Sequence, residues 1–307
     1  MVVDQVFERI YTVDEAFDYC AKITIAHYEN FPVASLFMPE EKRPYIQAIY
    51  AFSRTADDIA DEFSWSRDER LAKLQEWEYQ LARCYEGEAS HPTFIALRET
   101  VRKQNIPIEP LRDLLTAFKR DVIQNRYETF DDLLSYCACS ANPVGKLVLL
   151  IFGYREEKLF KLSDNICTAL QLANFWQDVS VDREKDRLYI PLEDMNRFEY
   201  SLEKWNKGVI DDSFREIMKY EVGRTRTLFY DGALLPSLVE RDLQLELKLV
   251  WLGGMKVIKK LERIRCDVIR HRPKLSIWNK LSIFLSALFV NDLTRFGKKR
   301  EPWELTS

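Results

Sequence analysis

Eleven prolines and only nine glycines in 307 residues leave five long proline-free tracts, at 45–91, 111–142, 144–190, 192–235 and 237–272. A proline inside a helix removes a backbone donor and clashes with the preceding turn, so the tracts can be helical and the prolines mark their ends. Within the tracts apolar residues recur every three or four positions, at Leu71, Leu74, Trp77 and Leu81, and again at Leu243, Leu247, Val250, Met255, Ile258 and Leu261. That is the period of a helix with one buried face. Period-two runs bounded by hairpin turns are missing, which makes the expected fold class all-α. No internal repeat and no low-complexity linker divides the chain, so a single domain over 1–307 is expected.

Composition narrows the function classes. With 47% hydrophobic and 31% charged residues and a net charge of −4, the chain is of ordinary globular type and has no general attraction for nucleic acid. Six scattered cysteines and an opening MVVDQVFERI without a signal-peptide pattern point to the cytoplasm and to free thiols. Cys137-x-Cys139 has no second pair with which to make a zinc site. The apolar run at 281–290 is about half the length that spans a bilayer. Two readings remain for the stretch 275–291: a last core helix, or a membrane-contacting C-terminal helix helped by the basic run that starts at Lys256.

The segment Ala56–Glu62, ADDIADE, packs four carboxylates into six residues without an intervening cation, although like charges one helical turn apart repel by about 0.2–0.5 kcal/mol per pair. At 100° per residue, Tyr50, Arg54, Asp57, Asp58 and Asp61 share one stripe, while Ile49, Phe52, Ala56, Ile59, Ala60 and Phe63 fall opposite. A second segment, QLANFWQDVSVDREKDRLYIP at 171–191, puts Gln171, Asn174, Asp178 and Asp182 on a similar stripe, with Leu172, Phe175, Trp176 and Val179 behind it. Either stripe alone could be a solvated face, but such faces normally mix lysine with glutamate. Two Asp-x-x-x-Asp helices suit hard divalent cations that carry a diphosphate, since Mg²⁺ takes one or two carboxylates and completes its shell with water and phosphate oxygens. Arg54 before the first motif and Arg183, Lys185 and Arg187 after the second are candidate phosphate partners, surface ion pairing being the alternative for Arg183 and Lys185. Tyr50, Phe31 and Tyr136 are candidate walls for a carbocation.

The pairing of YAFSRTADDIADE (50–62) with the 171–191 segment, with SYCACSANPVG (135–145) between them, resembles the squalene/phytoene synthase family. HYENFPVAS (27–35), SANPVG (140–145) and NFWQDVSVD (174–182) are similar to its hopanoid-pathway branch, the hydroxysqualene synthases. The resemblance implies an isoprenoid-synthase-type helical bundle around a central cavity. It implies Mg²⁺-dependent conversion of presqualene diphosphate and water into hydroxysqualene and diphosphate, with a sister enzyme supplying the presqualene diphosphate. Asp57, Asp61, Asp178 and Asp182 would hold two or three Mg²⁺ ions bridging to the diphosphate, with no NADPH. Tyr136, Arg54 and Tyr50 would be catalytic, Tyr136 as a proton handler, and His27, Phe31, Asn142, Gln171, Asn174, Arg187 and Tyr189 would bind substrate. The enzyme would be cytoplasmic or peripheral at the inner face of a bacterial membrane. The alternatives are a synthase making squalene, dehydrosqualene or presqualene diphosphate from two farnesyl diphosphates, and a non-catalytic assembly factor with the same fold. Three positions depart from the family pattern: Gln177 replaces an arginine, Ala138 an aromatic and Asn142 a glycine. Together they would make the surroundings of the carbocation wetter.

Overall fold

The computed structural model describes residues 10–26, 38–62, 64–290 and 292–297. Among these residues there are thirteen α-helices, two short 3₁₀ turns and no strand, as the apolar period predicts. The chain divides into two compact units, one made of Met1–Gln124 and Pro143–Glu156, the other of Asn125–Asn142 and Glu157–Ser307.

The first unit holds α1 (Val13–Ala26), α2 (Arg43–Ala60), α3 (Arg67–Tyr85), α4 (Pro92–Gln104), α5 (Glu109–Ile123) and, from Pro143 on, α7 (Asn142–Ile151). Prolines 44, 92 and 110 sit in first turns, where the missing N–H has no intrahelical partner to lose. Ser66 and Glu69 form a reciprocal capping box at the start of α3. Ala16, Cys20, Ala48, Ala51, Ile95 and Ala96 let α1, α2 and α4 approach closely. Beside them Phe52, Trp77, His91 and Phe94 interlock, and the Trp77 indole donates to the Phe52 carbonyl at 3.3 Å. This packing fixes the inner face of α2 and leaves its acidic face outward.

The second unit holds α6 (Phe130–Ser140), α8 (Glu157–Glu184), α9 (Leu192–Arg197), α10 (Leu202–Asn206), α11 (Asp212–Gly232), α12 (Arg241–Arg263) and α13 (Ile277–Phe289). α8 packs along α11 and α12. Close approach depends on two glycines: a Cβ on Gly232 would lie 2.4 Å from Ile166 Cγ1, and one on Gly254 would lie 2.2 Å from the Phe229 ring. Buried Trp176 on α8 donates to Thr225 on α11 at 2.8 Å. Arg224 bridges buried Asp194 and Glu221, and its guanidinium lies 3.4 Å over the centre of the Phe130 ring. On α12 Leu243, Met255, Ile258 and Leu261 are buried as the period predicts, whereas Leu247 and Val250 are half-exposed, and Glu246 and Lys248 are buried. By length and composition the run Phe130–Ile151 could cross a membrane; within it Leu133, Tyr136, Cys137, Leu147, Leu149, Leu150 and Ile151 are buried inside the protein.

Candidate active site

On α2, Ala48, Ile49, Ala51, Phe52, Ala56, Ile59 and Ala60 are buried, while Tyr50, Arg54, Asp57 and Asp58 remain at least partly open. Arg54 pairs with Asp57 at 3.2 Å and also with Asp58. Burial acts against the Arg54 charge, but Asp58 and then Asp57 outweigh it and hold the guanidinium above its usual pKa. The helix stops one residue earlier than the stripe implies. Asp61 is the C-cap, and because its N–H still donates to the Asp57 carbonyl at 2.9 Å it sits one turn beyond Asp57. Glu62 turns away to Ser64, whose hydroxyl first and then its N–H, at 3.1 Å, lower the carboxyl's pKa. Of the four carboxylates in ADDIADE, that one caps a loop. His27, Phe31 and Phe63 lie outside the described residues.

On α8, Leu172, Phe175, Trp176 and Val179 are buried, while Gln171, Asn174, Asp178 and Asp182 remain at least partly open. Asp178 receives a two-pronged ion pair from Arg272, Nε to Oδ1 at 2.6 Å and Nη2 to Oδ2 at 2.9 Å. Next to it Gln177 donates to the Pro273 carbonyl at 2.6 Å, so two consecutive α8 residues hold the 272–273 segment. The cation that the family pattern carries at 177 is absent, and a guanidinium reaches the neighbouring carboxylate from Arg272 instead. Burial first, and then the charge of Asp178, push the Asp182 carboxyl up to about 7 against the pull of Arg187, Lys185 and Arg272.

The chain leaves α8 through Asp186 in the left-handed region, φ 56°, held by the Asn125 amide at 3.0 Å and by Arg126. The Arg187 N–H bonds back to the Asp182 carbonyl at 2.8 Å, which keeps Arg187 at the end of the acidic stripe. Arg183 is directed elsewhere: it donates to the Asn206 carbonyl at the end of α10 and lies flat on Gly208, a structural post.

Tyr189 stacks on Phe175 with ring centres 3.6 Å apart and planes 7° apart, and Tyr127 and Tyr136 complete the cluster. Tyr136 and Tyr189 are thus brought together around buried Phe175 of α8. Asn142 accepts the Thr168 hydroxyl at 2.9 Å, which ties the start of α7 to α8. Sequence reasoning missed Tyr127 and Arg272. Neither sits in a helical stripe with the motifs, and Arg272 is one cation among several in a basic run.

Among the described residues no group of three or more His, Cys, Asp or Glu forms a metal site by itself. The donor chemistry nevertheless fits Mg²⁺. Each unit offers carboxylates one turn apart, with charge-assisted partners and open faces, and Mg²⁺ needs only one or two of them beside phosphate oxygens and water.

Among the described residues the protein is thus all-α, and each of its two units presents a carboxylate pair one helical turn apart. A family model described as squalene/phytoene synthase matches residues 24–279, and the chain belongs to that family. It is similar to the crystal structure of squalene synthase HpnC from Alicyclobacillus acidocaldarius, with 40% identity and a TM-score of 0.79 over 82% of this chain and 95% of that one. It is 32% identical to hydroxysqualene synthase of Sinorhizobium fredii, covering 81% of this chain and 84% of that protein. It is also 30% identical to 15-cis-phytoene synthase of Synechococcus elongatus, over 88% and 91% respectively.

Proposed function

We propose that this chain is a hydroxysqualene synthase, which ionises presqualene diphosphate, lets the carbon skeleton rearrange, and ends the reaction with water to release hydroxysqualene and diphosphate. Its family acts on prenyl diphosphates, and the similarity to HpnC and hydroxysqualene synthase relatives supports this product class. The structural observation that carries it is the α8 site, where Asp178 and Asp182 lie one turn apart and Arg272 grips Asp178.

Asp57 and Asp61 of the first unit and Asp178 and Asp182 of the second are the proposed Mg²⁺ ligands. Mg²⁺ would supply the positive charge that makes diphosphate a better leaving group. Arg54 and Arg187 are the proposed partners of the phosphate oxygens, with Arg272 as a further guanidinium beside Asp178. Gln171 and Asn174 offer neutral hydrogen bonds along the same stripe. Tyr136 is the proposed proton handler, Tyr50 a polar aromatic one turn before Arg54, and Tyr189 the face of the aromatic cluster that favours positive charge. His27 and Phe31 complete the proposed substrate contacts, and a presqualene diphosphate synthase would supply the substrate.

Phytoene synthases match at similar identity, so head-to-head condensation of two prenyl diphosphates is the second reading. Incubation with presqualene diphosphate and Mg²⁺, and separately with farnesyl diphosphate with and without NADPH, decides between them by product mass. Hydroxysqualene from the first substrate supports the proposal. No turnover of it, with product only from farnesyl diphosphate, replaces the proposal with the second reading.

A further inference from the structure

α13 is held to the second unit by only one side. Ile283 and Ala287 are buried, whereas Trp278 is 74% exposed and Phe289 80%, and Leu281, Leu285 and Leu288 are each about half exposed. On a helix these five residues form one stripe opposite Ile283 and Ala287. No Asp or Glu occurs between Asp267 and Asp292. The helix has 13 residues, which at about 1.5 Å per residue is too short to cross a bilayer core of about 30 Å.

The segment leading into this helix carries the opposite of the chain's overall charge. Lys256–Lys280 holds nine Lys and Arg against two carboxylates, Glu262 and Asp267, in a protein of net charge −4. Lys259, Arg263, Arg265, Arg270, Lys274 and Lys280 are exposed. Lys260 on α12 donates to the Lys274 carbonyl, which brings the last turns of α12 beside the start of α13. Cations and an apolar stripe are therefore neighbours on one surface.

We infer that α13 is an interfacial helix, which lies in the plane of an anionic membrane with Trp278, Leu281, Leu285, Leu288 and Phe289 among the acyl chains and the Lys256–Lys280 cations at the headgroups. Charge decides the occupant. A second copy docked face to face would bring the same basic segment against itself, while an anionic lipid surface neutralises it. A tryptophan at one end suits the headgroup boundary, where its ring is buried and its N–H stays wet. The inference rests on this surface alone and does not depend on which product the active site makes.

Flotation of the full-length protein with vesicles tests it, using phosphatidylcholine alone and phosphatidylcholine with roughly one-third phosphatidylglycerol. The protein is expected to float with the anionic vesicles, to be released by high salt, and to remain behind with the neutral ones. Leu285→Ser with Phe289→Ser, both exposed, should lower binding at least about tenfold. Lys274→Glu with Lys280→Glu should weaken binding to anionic vesicles only. Activity in detergent should be unchanged in all of these variants. Wild-type protein that stays unbound, or apolar-face variants that bind as well as wild type, would overturn the inference. So would light scattering that shows a dimer which the Leu285→Ser, Phe289→Ser variant dissociates.

Discussion

Arg272 and Asp178 are joined by two parallel hydrogen bonds of 2.6 and 2.9 Å across 94 residues of chain, so the cation nearest the second acidic motif comes from outside it. Without metal this guanidinium competes for the carboxylate that Mg²⁺ would use. Arg272→Ala should therefore tighten binding of Mn²⁺ to the substrate-free protein. The pair is partly exposed, so the gain is about 1 kcal/mol or less, roughly a fivefold change at most. Arg272→Lys keeps the charge and loses the fork, and should fall between. Titration of bound Mn²⁺ by paramagnetic resonance reads this directly. An unchanged affinity would mean that Asp178 is no ligand.

Asp57→Ala and Asp178→Ala should each lower diphosphate release by about a hundredfold or more even at high Mg²⁺, because the leaving group then loses a charge-neutralising contact made in the transition state. Both side chains are partly open, so thermal stability should change little. A coupled assay for released diphosphate separates the two effects, and near-normal turnover in both variants would remove the metal clamp.

Asn142 stands at the start of α7 where the family pattern has a glycine, and its side-chain oxygen accepts the Thr168 hydroxyl. If that amide helps hold the water that ends the reaction, Asn142→Gly should shift product from hydroxysqualene towards hydrocarbon. Product mass analysis with presqualene diphosphate is the check. A variant that still makes only hydroxysqualene would free Asn142 of that role.

What was legible in the sequence was what a helix makes periodic. Gln171, Asn174, Asp178 and Asp182 could be placed on one face because three- and four-residue spacings are local, and the structure keeps them there. Asp61 was legible as a neighbour of Asp57 but not as a cap, since a helix end depends on where the chain goes next. Arg272 and Tyr127 were out of reach for a different reason. Their partners, Asp178 for the first and Tyr136 and Tyr189 for the second, are tertiary neighbours, and no spacing rule links a loop cation to a carboxylate so many residues earlier. The half-exposed Leu247 and Val250 show the same limit, because the periodic pattern on α12 could not reveal that Glu246 and Lys248 would be buried beside them.

Buried Glu246 carries a pH signature. Burial pushes its carboxyl from 4.5 up to about 7, so between those values the unfolded chain loses a proton that the folded chain keeps. Stability from this group is present in full below about pH 4.5 and declines as pH rises to about 7. Glu246→Gln removes the ionisation and should raise stability at pH 8 by on the order of 2 kcal/mol, with little change near pH 4.5. Denaturant midpoints at the two pH values decide it. An equal shift at both would show that charge burial is not the cause.

The Thr225 hydroxyl serves two partners at once, accepting from the Trp176 indole at 2.8 Å and donating to the Glu221 carbonyl at 2.8 Å. Trp176 lies two residues before Asp178, and both it and Thr225 are fully buried, so the orientation of α8 against α11 depends on a hydrogen bond that water cannot replace. Thr225→Val keeps the shape of the side chain but leaves the indole N–H without an acceptor, a loss of about 1–3 kcal/mol. Thr225→Ser keeps the hydroxyl and gives up only a methyl group, about 1 kcal/mol. Chemical denaturation of the two variants should place valine below serine. If serine were as destabilised as valine, packing of the methyl, and not the hydrogen bond to Trp176, would be what fixes α8 behind the acidic stripe.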